Sequence, residues 1–574
     1  MKRSQNGSCG NTIYRFGLGI VRILTLLLAV LLFAGSFLTT CYADNMETQQ
    51  VLFRLDNPLW NLLELAGFGL LFCACLHFYD KFGRKFRRGL LIFTLGFIFC
   101  LGVLLILFGR TVPAADAMSV YNAALEWIQG NLDVIHPTVS YLSYYPQQIG
   151  LMAFLELFLR IWNLTGISAP AWHFIKLIYV CLLCAAVLFQ YLSLKYLWRE
   201  HWEEISCCYL LLVCCNLPMI MYSSFVYGEI PSFAALSVGL YLLLRLLSGI
   251  TFPGRASDIS CKGMSVKPFA SEASSETILS PKLHCTWSAF FTGAGSILFL
   301  ALSVMLRKNS LIPIIAVLLV LLFESLRFGR SVRARLCLLG MAVCLAVTSV
   351  GILPLVQKCY EKKAGNTLSS GVTAMSYFAM GMQEASRGCG WYNGFNIDTY
   401  DAAGMDSALA NEISRQAVLE RSTYFLEHPG YAVDFYARKH LSQWADGTYA
   451  SRQATLAAYG GRSGFFQEVY DGSLSSAYIE WGNAWQDVLY LGTLVFCVSA
   501  VHRKRKNTAT APQGSDTDSL YLSLYLYVGL IAVLGGFLFH ILWEANSRYI
   551  FLYSLLLMPY CAAGVYTVFA EHAK

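Results

Sequence analysis

Charged residues are scarce in this sequence. Lys, Arg, Asp and Glu together make up 13% of its 574 residues, whereas hydrophobic residues make up 56%. Soluble globular proteins carry about 25% charged residues, so this composition excludes the soluble class. Apolar runs of about 20 residues recur along the chain, and each is long enough to cross the core of a membrane. The sequence therefore predicts an all-α polytopic membrane protein.

Internal repeats and mid-span ionisable residues are also missing. The net charge is +7, but Lys and Arg cluster in short loops, where they indicate membrane topology, and this distribution excludes a nucleic-acid partner. The lack of a repeat argues against a transporter built from two related halves. Glu64, Lys176, Arg245 and Glu324 lie toward the ends of the apolar runs, whereas an ion or proton relay needs such groups near the midplane.

Cysteine, by contrast, is common, with 19 residues. Most of them lie inside apolar runs, where small buried residues are more typical than a disulfide framework. Cys41, Cys359 and Cys389 lie outside the runs on the predicted outer side, where a disulfide is chemically allowed. Their pairing stays open.

About twelve membrane spans are predicted. They are Leu18–Thr40, Leu59–Phe78, Leu90–Phe108, Ala171–Tyr196, Ile205–Val226, Pro231–Leu247, Ser288–Leu306, Ser310–Leu326, Leu336–Val356, Trp485–Val501, Leu520–Leu542 and Ile550–Phe569. Threading them alternately places all the basic loops on one side. These loops are 79–89, 194–200, 327–335 and 502–506. The positive-inside rule makes that side cytoplasmic, together with both termini, so the acidic, aromatic loops lie outside.

Four regions follow from this threading. They are an N-terminal transmembrane region (1–356) with an outer loop (109–170), a Ser-rich cytoplasmic linker (249–286) predicted to be disordered, an outer soluble region (357–484), and a C-terminal transmembrane region (485–574). The outer region is predicted to be mostly helical, with a break at His428, Pro429 and Gly430. Ile149–Trp162 is predicted to lie on the outer face as an amphipathic helix, with Glu156 paired to Arg160.

Polar residues from distant parts of the sequence converge on the predicted outer face. They are Asp116, Glu229, Arg307, Lys308, Glu544 and Arg548. Carboxylates combined with guanidinium and ammonium groups provide a base and an anion clamp. This set suits transfer of a sugar from a lipid phosphate to a hydroxyl, because the leaving phosphate needs no general acid, unlike the leaving group in a glycosidase. Asp116 would be the general base, and Arg548 would hold the phosphate through two donors, with Glu544 and His540 on the same helical face.

The sequence resembles the GT-C superfamily of membrane glycosyltransferases. The resemblance rests on Asp116 in the first large outer loop followed by VYNAALEWIQGN, and on YYPQQIGL, VYGEIPS, RKNSLIP and WEANSRYIFLYSLLLMP. It is nearest to the bacterial branch related to protein O-mannosyltransferases and the lipid A aminoarabinose transferase, of the glycosyltransferase family 39 type. The resemblance implies a GT-C-like fold, a polyprenyl-phosphate sugar donor, inversion at the anomeric carbon, and Asp116 and Glu229 as the two acidic positions of the site.

Several alternatives stay open. A transporter or flippase of lipid-linked saccharides would use the same charges only to bind a headgroup. A membrane scaffold with an outer receptor region would use them neither for catalysis nor for binding a headgroup. Arg307 and Lys308 are equally explained as interfacial residues. Glu229 is a metal ligand, a sugar contact or a helix cap, and a divalent metal (Mg or Mn) bridging Asp116 and Glu229 stays open. The acceptor is a glycan, a lipid or a protein, and membrane lipid is a further partner.

Overall fold

The computed structural model describes residues 2–43, 49–251, 287–327, 331–510 and 523–572. The predicted linker at 249–286 lies, from residue 252 onward, outside the described residues. The described chain is almost entirely helical, which confirms the all-α expectation. Eleven of its helices are long and apolar enough to cross a membrane, and the number is twelve if one sharply bent helix pair is counted as a single span.

The long helices build the bundle that carries the site. They are α1 (Lys2–Leu38), α2 (Pro58–Phe82), α3 (Arg84–Leu104), α7 (Ala171–Leu197), α8 (Trp202–Cys215), α10 (Glu229–Thr251), α11 (Trp287–Leu306), α12 (Leu311–Leu326), α13 (Val332–Ala364), α20 (Leu474–Thr510), α21 (Val528–Leu542) and α22 (Phe551–His572).

Shorter elements lie between them. They are β1 (Thr39–Ala43), β2 (Val51–Leu55), α4 (Asp116–Ile128), α5 (Tyr141–Tyr144), α6 (Ile149–Leu164), α9 (Leu217–Met221), α14 (Ala374–Gly381), α15 (Phe395–Ala402), α16 (Ser407–Glu427), α17 (Pro429–Trp444), α18 (Ser451–Ala454) and α19 (Gly464–Asp471). Helices α16 and α17 are separated at His428, where the sequence predicted a break.

The predicted span Ile205–Val226 is the bent pair. Helix α8 and the segment Leu217–Ser224 meet at an angle of 63°. The cause is local, because the Asn216 side chain accepts a hydrogen bond from the Met219 amide (3.0 Å) and Pro218 follows at the start of α9. A side-chain cap and a proline together start a new helix instead of continuing the old one.

Close helix contacts in the bundle depend on glycine. A Cβ atom on Gly564 of α22 would lie only 1.8 Å from the Gly492 carbonyl oxygen of α20, and one on Gly239 of α10 would lie 2.7 Å from the Leu300 side chain of α11. Small residues let helix backbones approach each other where lipid supplies no hydrophobic driving force. These contacts fix the helix ends from which the site residues project.

One end of the bundle carries the basic loops. There, Arg84 and Arg87 both pair with Glu203 (3.1 and 3.6 Å), and the Tyr79 hydroxyl donates to the same carboxylate (2.9 Å). The loops 79–89 and 194–204 therefore lie on the same face, as the threading predicted. The opposite end, which we call the Asp116 face, carries the short elements and the helices α14 to α19.

The region between the spans is shorter than the predicted 357–484. Helix α13 continues to Ala364 and helix α20 already begins at Leu474, so the boundaries at 357 and 484 fall inside long helices. On the same face, α6 is 16 residues long, and Arg160 pairs with Glu156 at 2.7 Å as expected. Tyr360 of α13 also donates to Glu156, which ties α6 to the bundle.

A β-hairpin joins the first two spans, where the sequence predicted only a connection. Strands β1 and β2 pair antiparallel, with Cys41 opposite Phe53. The Cys41 amide donates to the Ala445 carbonyl (2.9 Å) and the Val51 amide to the Arg387 carbonyl (2.9 Å). The hairpin is thereby fixed against the helices of the Asp116 face. The three cysteines whose pairing was open, Cys41, Cys359 and Cys389, are free thiols.

Candidate active site

A cavity of about 840 Å³ opens on the Asp116 face. Six connections between spans form its walls, so residues far apart in the sequence meet there. Five of the six residues predicted from the sequence line it: Asp116, Arg307, Lys308, Glu544 and Arg548. The sixth, Glu229, lies outside the lining, with its side chain 3% exposed. The predicted convergence therefore exists, with Glu229 placed differently from the rest.

Asp116 is the first residue of α4. The N–H groups at a helix start favour a negative charge, so this position stabilises a carboxylate. Ala115 before it has a φ of +47°, a left-handed value that turns the chain sharply into the helix. Among the described residues, the Asp116 carboxylate takes part in no hydrogen bond or ion pair. A partly exposed, unengaged carboxylate at the wall of a cavity is available to accept a proton.

The loop before Asp116 is held on two sides. The Val112 amide donates to the Ala457 carbonyl (2.8 Å), and Thr111 forms a β-bridge with Ala458. Lys176, which is fully buried in α7, donates to the Thr111 carbonyl. These contacts set the position at which α4 begins.

Arg307 and Arg548 form a guanidinium pair on the wall of the cavity. Nη1 of Arg307 lies 2.6 Å from Glu229 Oε1, and Nε of Arg548 lies 3.6 Å from the same oxygen. Glu229 begins α10 behind the two arginines. Gly228 makes this arrangement fit, since a Cβ there would lie 2.5 Å from the Leu306 carbonyl oxygen. Glu229 thus neutralises part of the positive charge of the pair and fixes its position.

Aromatic rings hold the arginine pair in place. The guanidinium carbon of Arg307 lies 5.6 Å from the ring centre of Tyr227 and 6.0 Å from that of Tyr549. The carbon of Arg548 lies 5.6 and 5.7 Å from the same two rings. Within the described chain, Arg548 Nε has no hydrogen-bond partner. Both arginines line the cavity, and guanidinium groups held by rings in a cavity wall can bind an anion. Lys308 is exposed beside Arg307 and adds positive charge.

Glu544 lies just beyond the end of the helix that was expected to carry it. The sequence predicted Glu544, Arg548 and His540 on one continuous helical face, and this is wrong because α21 ends at Leu542. Glu544 accepts a hydrogen bond from the Tyr549 hydroxyl (3.1 Å). Burial raises the pKa of Glu544 to about 7, and the Asp116 charge acts in the same direction, while Tyr549 and Arg548 oppose it. Asp116 and Glu544 are therefore two carboxyl groups of one site with different environments.

Helices of the Asp116 face hold the segment that carries Glu544. The Ala545 amide donates to the Gly390 carbonyl (2.7 Å), next to a parallel β-bridge from Ala545 to Trp391. Lys439 of α17 is fully buried and donates to the Ile541 carbonyl (2.9 Å) and the Gly381 carbonyl (2.5 Å). Burial lowers the pKa of Lys439 to about 7. This lysine accordingly joins the end of α14 to the end of α21.

Sequence reasoning missed the wall that the region 371–454 contributes. Its lining residues include Tyr377, Arg387, Trp391, Tyr392, Asn396, Asp446 and Gln453. Three buried oxygen atoms on this side of the cavity have no hydrogen-bond partner among the described residues: Asn396 Oδ1, Gln453 Oε1 and Ser547 Oγ. Buried polar atoms are normally paired, so unpaired ones facing a cavity indicate where a ligand or water binds.

A metal bridging Asp116 and Glu229 does not fit the residues present. The Glu229 carboxylate is already engaged by two guanidinium groups and is not part of the cavity wall. The described part of the chain also holds no group of three or more His, Cys, Asp or Glu residues that could bind a metal ion. We therefore derive no chemical step through a metal.

Comparisons with known proteins reach only distant structures. No family model and no curated protein matches the chain. It is similar to the archaeal oligosaccharyltransferase AglB from Archaeoglobus fulgidus in complex with an inhibitory peptide and a dolichol-phosphate, with a TM-score of 0.43 and 13% identity over 86% of this chain and 51% of that one. The apo form of the oligosaccharyltransferase gives 0.42 and 12% over 85% and 51%. The chain thus spans about half the length of these structures, and so distant a likeness carries no functional argument.

Proposed function

We propose that this chain is a membrane glycosyltransferase of the GT-C type, which moves a sugar from a polyprenyl-phosphate donor to an acceptor hydroxyl. The observation that carries the proposal is one cavity, at one end of a membrane bundle, whose wall combines the unengaged carboxylate of Asp116 with the guanidinium groups of Arg307 and Arg548. The carboxylate can accept a proton, and the guanidinium groups can bind a phosphate. A hydrolase of glycosidic bonds would need an acid for its leaving group, whereas phosphate leaves without one.

The reaction follows from these positions. The acceptor oxygen attacks the anomeric carbon and gives its proton to Asp116, while the bond from that carbon to the phosphate oxygen breaks. The electron pair leaves with the polyprenyl phosphate, whose growing negative charge Arg307 and Arg548 stabilise. Attack from the face opposite the phosphate inverts the anomeric carbon. Glu229 keeps the two guanidinium groups oriented, and Tyr227 and Tyr549 restrict their movement.

The membrane bundle explains how such a donor would arrive. A polyprenyl tail is apolar and stays in the bilayer, so its phosphate is confined to the level of the headgroups. Arg307 and Arg548 lie at the ends of spans Trp287–Leu306 and Ser547–Phe569, where a headgroup phosphate lies. We place this face outside a bacterial plasma membrane, with the termini in the cytoplasm, because the basic loops occupy the opposite face.

The test is transfer by the purified full chain in lipid nanodiscs. Polyprenyl phosphates carrying radiolabelled mannose, glucose or galactose are supplied with methyl glycosides or membrane extracts as acceptors. We expect Asp116→Asn to lower turnover by about 10² to 10⁴, because the amide keeps the size but takes no proton. The control is Asp133→Asn, an exposed acid of the same loop region.

Three outcomes contradict the proposal. The first is full activity in Asp116→Asn, and the second is an equal loss in Asp133→Asn. The third is label that crosses the membrane of sealed vesicles without being transferred, which would instead support the transporter.

A further inference from the structure

The wall of the cavity next to Asp116 contains an amide whose oxygen is unused. Asn396 is 1% exposed, and its Oδ1 has no hydrogen-bond partner among the described residues. It is the second residue of α15 and lines the cavity. Buried carbonyl oxygens are normally paired, so an unpaired one in a cavity wall indicates where a ligand or water donates to it.

The other half of the amide is occupied. The Asn396 side chain hydrogen-bonds the Tyr145 hydroxyl, and this bond lowers the pKa of Tyr145 against the larger effect of burial, which raises it. The amide nitrogen is the group of Asn396 that can donate to a phenol oxygen, and the amide oxygen has no partner among the described residues.

Helix α15 is held firmly enough to present this group. Asn393 accepts from the Phe395 amide (3.1 Å) at the helix start, and the Tyr144 hydroxyl donates to Asp401 (2.8 Å) near its end. The rings of Tyr144 and Tyr400 meet edge to face at 5.7 Å. The loop that follows α4 and the helix that carries Asn396 therefore form one unit.

Aromatic rings and the proposed base, Asp116, lie beside the Asn396 amide. Tyr145, Trp391 and Tyr392 line the same part of the cavity. Burial raises the pKa values of Tyr145 and Tyr392, and the charge of Asp116 raises both further, which places both phenols within its electrostatic reach. The apolar face of a sugar ring packs on such rings while its hydroxyls reach polar groups at the edge.

We propose that Asn396, with Tyr145 and Tyr392, forms a subsite for a neutral sugar ring, in which a sugar hydroxyl donates to Asn396 Oδ1. The inference rests on the proposed function and adds the group that recognises the sugar. The unpaired Asn396 oxygen and the Asp116 carboxylate both favour a hydroxyl donor at this position. The ring belongs either to the glycosyl group of the donor or to the acceptor, and both present the same hydroxyls.

The experiment compares Asn396→Ala with Asn411→Ala, an exposed asparagine of α16 that lies outside the cavity lining. Binding of undecaprenyl phosphate without sugar is measured first, and then the KM for the sugar-bearing donor and for methyl glycoside acceptors. We expect Asn396→Ala to leave binding of the bare phosphate unchanged and to raise one of the two KM values by about tenfold or more, because a lost hydrogen bond leaves the ligand hydroxyl unpaired. A raised donor KM assigns the subsite to the donor sugar, and a raised acceptor KM assigns it to the acceptor.

A second variant tests the subsite independently of any folding defect in Asn396→Ala. Tyr392→Leu keeps bulk but removes the flat ring, and it should shift the same KM as Asn396→Ala. Unchanged values of both KM in both variants, with a transferring wild-type enzyme, overturn the subsite and leave the proposed function standing. No transfer by the wild-type enzyme refutes the proposed function itself. Weakened binding of the bare phosphate by Asn396→Ala also overturns the subsite, since it shows a general effect on the cavity.

Discussion

Arg307 and Glu229 are joined by an ion pair of 2.6 Å, in which Arg307 lines the cavity and Glu229 lies outside the lining. The acid expected to contact substrate or metal thus acts on the anion site from behind. Removing one partner of a buried ion pair costs far more than removing an exposed one. Glu229 is consequently a position where stability and phosphate binding are linked.

Glu229→Gln should destabilise the ligand-free protein by about 3 kcal/mol, because it leaves two guanidinium groups without a counter-charge. Added undecaprenyl phosphate should recover part of this loss by supplying the missing anion. The measurement is thermal unfolding with and without the lipid. Glu480→Gln is the control, since Glu480 pairs with Arg54 on an exposed surface, where a pair contributes about 1 kcal/mol or less. Equal losses in the two variants would contradict the assignment.

Arg548→Lys should weaken binding of undecaprenyl phosphate by about 10-fold to 100-fold. An ammonium group cannot make two parallel hydrogen bonds to one phosphate, and it loses the stacking on Tyr227 and Tyr549. Arg415→Lys on the exposed surface of α16 should bind the lipid like the wild type. Wild-type affinity in Arg548→Lys would remove this residue from the anion site.

Stability should depend on pH through Glu544. Burial raises its pKa from 4.5 to about 7, so between these values the folded chain holds a proton that the unfolded chain has lost. Stability from this group is therefore full below about pH 4.5 and falls as the pH rises toward 7. Glu544→Gln is neutral at every pH and should flatten this dependence. The measurement is the melting temperature from pH 4.5 to 8, and identical slopes in the two proteins would count against the buried acid.

Lys439→Met should lower kcat/KM by about tenfold or more, although Lys439 does not line the cavity. The variant leaves the Gly381 and Ile541 carbonyls without their buried donor, and the segment with Glu544 and Arg548 loses its support. Lys362→Met, an exposed lysine at the end of α13, is the matched control. Unchanged kinetics in a folded Lys439→Met protein would show that the segment holds its position without it.

The two faces of the bundle should lie on opposite sides of the membrane. An epitope inserted at Gly83, in the turn between α2 and α3, should be reached by antibody only after the cytoplasmic side is opened. An epitope at Gly404, in the loop before α16, should be reached from outside. Labelling of both from the same side would reverse or break the predicted topology.

The long helices were predictable because each needs only a continuous apolar run, and no distant contact changes that requirement. The bend at Asn216 had a local signal as well, since a capping asparagine two residues before a proline starts a helix. The β-hairpin had no such signal in the sequence, because each of its strands is only five residues long and its position depends on contacts with Ala445 and Arg387.

The convergence of Asp116, Arg307 and Arg548 followed from topology alone, since all three lie at span ends on one side. The arrangement of the residues around these three did not follow from the topology. The helix predicted through Glu544 ends early because Ala545 pairs with Gly390, a contact between residues 155 positions apart in the sequence. Asn396 was missed for the same reason, as nothing near it in the sequence shows that it faces Asp116.

The loop before Asp116 is also joined to the region after α18 by two further backbone hydrogen bonds. The Tyr459 amide donates to the Arg110 carbonyl (2.9 Å), and the Ser463 amide donates to the Phe108 carbonyl (3.1 Å). Two parts of the chain separated by some 350 residues thus form one mechanical unit. The region 457–463 cannot be deleted or exchanged on its own without moving Asp116. A chimera that replaces one of the two segments should therefore replace the other as well. The fold should tolerate a pair of compensating substitutions, one in each segment, better than either substitution alone.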